Sequence, residues 1–218
     1  MLIPLPLPKA RLEALTDGIF AVSMTLLVLD LRLPEHVGGE ARQVFANLLR
    51  LLPHIDDYAI SFVVLCLYWL AHLRLLQRIG DVDGAFVWLN LAFLLCTTFV
   101  PPLTSFIGNN PDQPVAAVVY GGNLLLLLLF EALLWRRGAL HLSNDTVTDP
   151  AALWRFMRGR FLFSAAVVVL AIVAALVEIE VGTRVGYATY VYLLLIGAGV
   201  VRPQNVPSAV RHRHPPGR

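Results

Sequence analysis

Charge is scarce in this chain. Only 15% of its 218 residues are Asp, Glu, Lys or Arg, against about 25% in an ordinary soluble domain. So few ions leave much of the surface facing something other than water. With 57% hydrophobic residues and a mean hydropathy of +0.69, that something is read as lipid. The net charge is only +2. Its basic residues lie between apolar runs rather than in one patch, which argues against a nucleic-acid partner.

Other signatures are missing. There are two cysteines, Cys66 and Cys96, both inside apolar runs. With no CxxC and no Cys/His metal spacing they read as small hydrophobes, not as bridges or ligands. The stretch MLIPLPLPKARLEAL places prolines before the charges and offers no small-residue cleavage site. The first apolar span is therefore expected to remain in the mature protein. Ser23, Ser61, Ser105 and Ser164 have no His/Asp motif beside them, and His72 is the one histidine within an apolar span. No glycine-rich phosphate loop and no TVGYG-type carbonyl filter occurs. The expectation is a protein that is not an enzyme and holds no cofactor and no resident metal.

What the chain does have is apolar length. Six stretches stand out, near residues 12–33, 58–76, 86–107, 115–135, 161–177 and 185–201. Each approaches the length a helix needs to cross about 30 Å of hydrocarbon. This predicts an all-α membrane protein with six transmembrane helices. Residues 1–11 form an N-terminal segment, 12–201 the membrane domain and 202–218 a Pro/Arg-rich tail expected to be disordered. If the N-terminus is cytoplasmic, thirteen of the 17 basic residues lie inside, leaving Arg32, Arg42, Arg50 and Arg184 outside. The positive-inside rule then puts both termini in the cytoplasm. An even number of spans requires the same. The expected location is the inner (plasma) membrane, crossed several times. The outer segment EARQVFANLLRLL is amphipathic, suited to the membrane surface or to packing on the bundle. SNDTVTDP reads as turns or a cap.

The first span, RLEALTDGIFAVSMTLLVLDLRLP, keeps polar residues where lipid disfavours them. Gly18, Val22, Thr25, Leu26 and Leu29 fall on one helical face. Two readings stand: a stripe facing lipid or a packed helix, and a stripe lining a pore. Apolar rings gate by dewetting, and rings of hydroxyls replace part of an ion's hydration shell. One helix cannot enclose a pore, so the second reading requires several copies.

Arg11, Thr16 and Asp17 cluster at the start of this span. Ionisable groups at a membrane boundary pair or face water. In the second span Trp69 and His72 share a face, with Arg74 beyond. Asn90 in the third span can hydrogen-bond across helices. Pro101 and Pro102 should break or kink that span, with Thr104 placed to satisfy a freed carbonyl. The bland reading of Trp69, His72 and Asn90 is a polar clamp that holds the bundle. Glu131, just before Arg136 and Arg137, reads as an interfacial charge.

These residues resemble the first-helix signature of the transmembrane protein 175 family, bacterial relatives of the lysosomal potassium channel. Arg11 and Asp17 match its Arg and Asp. Leu15 and Thr16 stand where the family has Phe and Ser. GIFAVSMTLLVLDL, Trp69–His72–Arg74, Leu89–Asn90 and Pro101–Pro102–Thr104 match further family patterns, all in the first half of the chain.

The resemblance implies a six-helix subunit in a homotetramer within the lipid bilayer, first helices lining a central pore. It implies Val22 at the main constriction and Thr25 one turn outward, with a transient potassium position near it. Leu26 and Leu29 would be further pore-facing residues. Arg11, Thr16 and Asp17 would form a mouth network, with Trp69, His72 and Asn90 as partners. Val22 is smaller than the family's usual Leu or Ile, so a wider ring is expected. The implied activity is passive potassium conduction, weakly selective over sodium, with proton leak as a family trait. The alternatives are a proton-coupled transporter using Asp17 and His72, and a non-conducting membrane scaffold.

Overall fold

The computed structural model describes residues 8–29, 52–110, 113–140 and 150–181. Six α-helices account for nearly all of them: α1 Lys9–Leu29, α2 Leu52–Leu76, α3 Gly84–Thr98, α4 Val100–Asn109, α5 Pro114–Gly138 and α6 Pro150–Val181. Helices are the required answer to this composition, because lipid offers no partner for an exposed backbone N–H or C=O. α3 and α4 follow one another as a single apolar segment. Five spans long enough to cross a membrane result: Lys9–Leu29, Ile55–Leu76, Gly84–Asn109, Pro114–Gly138 and Met157–Val177. They coincide with the first five expected stretches. The sixth, near 185–201, lies outside the described residues, as do the amphipathic segment before Leu52, the turn after Leu140 and the 202–218 tail. α1 begins at Lys9.

Punctuation in the sequence explains the ends. Asp83 caps α3, accepting from the Phe86 amide across 2.8 Å. Proline opens α5, where a missing N–H costs nothing. Arg136 and Arg137 close α5, where the helix dipole favours cations.

Antiparallel packing brings every Lys and Arg among the described residues to one end of the bundle: the start of α1, the end of α2, the end of α5 and the start of α6. α1 packs against α2, α3 and α4, while α5 packs against α3, α4 and α6. Phe20 of α1 meets Phe93 of α3 at 5.9 Å between ring centres. At the basic end α5 comes very close to α2. A Cβ on Gly138 would sit 2.8 Å from Leu75 Cδ1 and 3.2 Å from Ile79 Cγ2. A larger residue there would push against these side chains.

The expected break in the third span is present and small. Phe99 separates α3 from α4 with φ −79° and ψ −14°. Pro101 and Pro102 have no N–H to return to the carbonyls of Thr97 and Thr98. Thr104 does not serve those carbonyls. Its hydroxyl donates to the Val100 carbonyl at 2.9 Å and contacts Ser61 Oγ at 2.8 Å. Asn123 of α5 donates its amide N–H to a neighbouring carbonyl, that of Cys96, across 3.1 Å. Ser61 also pairs with the Tyr120 hydroxyl at 3.0 Å, giving a buried hydroxyl chain across α2, α4 and α5. Such a chain satisfies polar atoms that lipid could not.

Candidate pore face and inner-end polar network

α1 has two faces. Leu12, Thr16, Phe20, Ser23 and Leu27 are buried against the subunit. The opposite face carries Leu15, Gly18, Val22, Thr25, Leu26 and Leu29, all exposed. Val22 is 54% exposed, Leu26 43% and Leu29 71%. The expected stripe therefore points away from its own bundle. The Thr25 hydroxyl donates to the Val22 carbonyl at 2.8 Å. That bond fixes its rotamer and leaves the oxygen lone pairs outward as acceptors. Among the described residues nothing comes within 4 Å of a Cβ built at Gly18.

The mouth residues separate into two sets of contacts. On α1, Asp17 accepts from the Trp69 indole across 2.9 Å, and the Thr16 hydroxyl accepts from the buried Asn90 amide at 3.1 Å. These bonds tie α1 to α2 and α3 as expected. His72 belongs elsewhere. Its Nδ1 meets a carboxylate oxygen of Glu131 at 3.0 Å, and both side chains are buried, at 0% and 1% exposure. Its ring stacks on Phe93, 5.0 Å between centres and 12° from parallel. Asp17 and His72 thus belong to different pairs and do not form the relay of the transporter alternative. Arg11 is exposed, and its side chain has no polar partner among the described residues. It does not reach Asp17 within the subunit, because six residues along a helix put the two on different faces.

Glu131 is the residue that sequence reading misjudged. It is a core carboxylate and not an interfacial charge. A second donor, the Trp135 indole, reaches it across 3.0 Å from one turn further on. Two donors from separate side chains offset the cost of burying an acid in a span. The signal was present: an acid inside an apolar run with Trp four residues later, and a lone His in another span. Phe93, which supports the His72 ring, carried no comparable sequence signal.

The same end of the bundle also carries local charges. Lys9 donates to the Ile79 carbonyl at 2.8 Å and lies 3.4 Å from Glu13. Arg137 bonds Asp83 through Nε at 3.0 Å and also through a terminal guanidinium nitrogen. Arg78 lies over the Trp135 ring, 5.8 Å from its centre. Burial, and to a lesser extent Arg74, lowers the Arg78 pKa from its ordinary value. No group of three or more metal-ligating side chains occurs among the described residues.

Taken together, apolar spans, a buried polar clamp and an outward stripe define a multi-pass α-helical membrane protein. Comparison with known proteins makes the assignment specific. The family described as endosomal/lysosomal potassium channel TMEM175 matches residues 11–101. A Streptomyces collinus protein named a potassium channel is 34% identical over 161 residues, 70% of this chain and 75% of the relative. A Chamaesiphon minutus protein, also named a potassium channel, is 34% identical over 132 residues, 59% of this chain and 65% of the relative. The match thus spans just under two thirds of that relative's length. The crystal structure of a lysosomal potassium-selective channel TMEM175 homolog from Chamaesiphon minutus superposes with a TM-score of 0.70. It is 26% identical, over 88% of this chain and 98% of that one. This chain belongs to the TMEM175 family.

Proposed function

We propose that identical copies of this subunit, four by the family resemblance, surround a pore lined by α1 and conduct potassium passively. One observation carries the reading: Val22, Thr25, Leu26 and Leu29 are exposed on a helix whose other face is fully engaged. A stripe of this kind needs a partner. The hydroxyl of Thr25 and the bare Gly18 suit a narrow shared axis better than acyl chains. Val22 forms the apolar constriction that passes ions when wetted. Thr25 supplies the polar layer beyond it, where potassium rests transiently. Arg11, Thr16, Asp17, Trp69, His72 and Asn90 hold or border the inner mouth, and no cofactor takes part. Selectivity over sodium is weak, because no carbonyl cage is involved, and protons leak through the same wetted path.

The relatives named as potassium channels support this activity. The proposed setting is the plasma membrane with both termini cytoplasmic, which the basic residues gathered at one end support. Potassium flux from liposomes, compared with sodium flux and with proton uptake, tests the activity. Oligomer mass in detergent tests the subunit number. Saturable flux driven by an imposed pH gradient would instead favour a proton-coupled transporter. Absence of flux in every lipid would favour a scaffold.

A further inference from the structure

Two buried polar atoms have no partner among the described residues: Nε2 of His72 and Oδ1 of Asn90. They belong to one closed circuit of contacts. Thr16 bonds Asn90, and Phe93, one turn beyond Asn90 on α3, stacks on His72. Trp69, one turn before His72 on α2, bonds Asp17, the neighbour of Thr16. The circuit joins α1, α2 and α3 at one depth. The His72 nitrogen that bonds Glu131 faces α5, so the opposite edge of the ring, carrying Nε2, faces away from α5. Asn90 spends its amide nitrogen on Thr16, which leaves its oxygen free.

We infer that the subunit binds one water between His72 Nε2 and Asn90 Oδ1. A water donates two hydrogens, and it completes both atoms whichever ring nitrogen carries the proton. With Nδ1–H bonding an ionised Glu131, Nε2 is an acceptor, and the water donates to it and to Oδ1. With the ring protonated, Nε2–H donates to the water, which still donates to Oδ1. Buried waters take up polar atoms that protein cannot pair, and an unpaired buried atom is otherwise costly. The bound water joins Glu131, His72, Asn90 and Thr16 into one hydrogen-bonded path from α5 to α1. It fixes the rotation of α1 and hence the direction of its exposed stripe. The site is independent of whether the protein conducts.

The test uses full-length protein in lipid bilayers, labelled with nitrogen-15 at histidine and studied by solid-state NMR. The His72 signals are those lost in His72→Gln. The expected result is magnetisation transfer from a bound water to the His72 ε2 nitrogen. A shift of that resonance is also expected in Asn90→Leu, although the two side chains share no direct hydrogen bond. If Asn90→Leu does not fold, Asn90→Ala, which also removes Oδ1, replaces it with the same readout. Absence of water transfer in the wild type overturns the site. Transfer that persists with an unmoved ε2 resonance in the Asn90 variant overturns the bridge.

Discussion

The indole of Trp69 donates to the carboxylate of Asp17 across 2.9 Å, joining residues 52 positions apart in the chain. This bond ties α1 to α2 at the inner end of the bundle. Trp69→Phe keeps the apolar body and removes only the donor. A double-mutant cycle with Asp17→Ala should give a coupling of about 0.5–1.5 kcal/mol, the net value of such a bond. Thermal unfolding in detergent measures it. Additive effects would mean that the contact is not energetically coupled.

Breaking the His72–Glu131 pair should be more damaging. Removing one partner of a buried pair leaves the other uncompensated, at a cost of about 3–5 kcal/mol. His72→Leu should therefore lower the unfolding midpoint more than Trp69→Phe does. The double variant His72→Leu with Glu131→Leu should recover part of the loss, because only the Trp135 indole N–H then lacks its acceptor and no buried carboxylate remains. A double variant no better than His72→Leu alone would contradict the assignment of the pair.

Close approach at Gly138 predicts a steric effect. Gly138→Ala places a methyl against Leu75 and Ile79, and overpacking of this kind costs about 1–3 kcal/mol. Leu75→Ala should relieve much of it, since the nearest atom is the end of that side chain. Midpoints of the three variants give the answer.

Asp83 has two tasks, capping α3 and pairing with Arg137. Asp83→Ala should cost about 0.5–2 kcal/mol, mostly through the lost cap. Asp83→Asn should retain most of the stability, because its carbonyl still accepts from Phe86. Arg137→Ala should change stability little, since an exposed ion pair contributes weakly.

On the exposed face, Val22 and Thr25 should alter flux and not folding of the subunit. Val22→Ala widens the proposed constriction and Val22→Leu narrows it, so potassium flux should rise in the first and fall in the second. Thr25→Val removes the hydroxyl at nearly constant volume and should change the potassium-to-sodium ratio. Wild-type flux and ion ratio in all three variants would remove the stripe from the pore.

Composition and periodicity alone determined that the chain crosses a membrane as helices, and five of the six expected stretches coincide with described spans. The reason is that lipid permits few alternatives, so hydropathy over about 20 residues is nearly sufficient. Spacing also grouped Val22, Thr25, Leu26 and Leu29 on one face, because helical geometry is local. Partnership was decided only by the tertiary structure. Sequence gave Glu131 to the interface and offered His72 to Asp17; packing instead put His72 and Glu131 together, 59 positions apart. It turned the Thr104 hydroxyl to Ser61 and the Val100 carbonyl, not to the carbonyls that the prolines free. Helical periodicity states which residues share a face. Which face meets which neighbour depends on how several helices settle against one another.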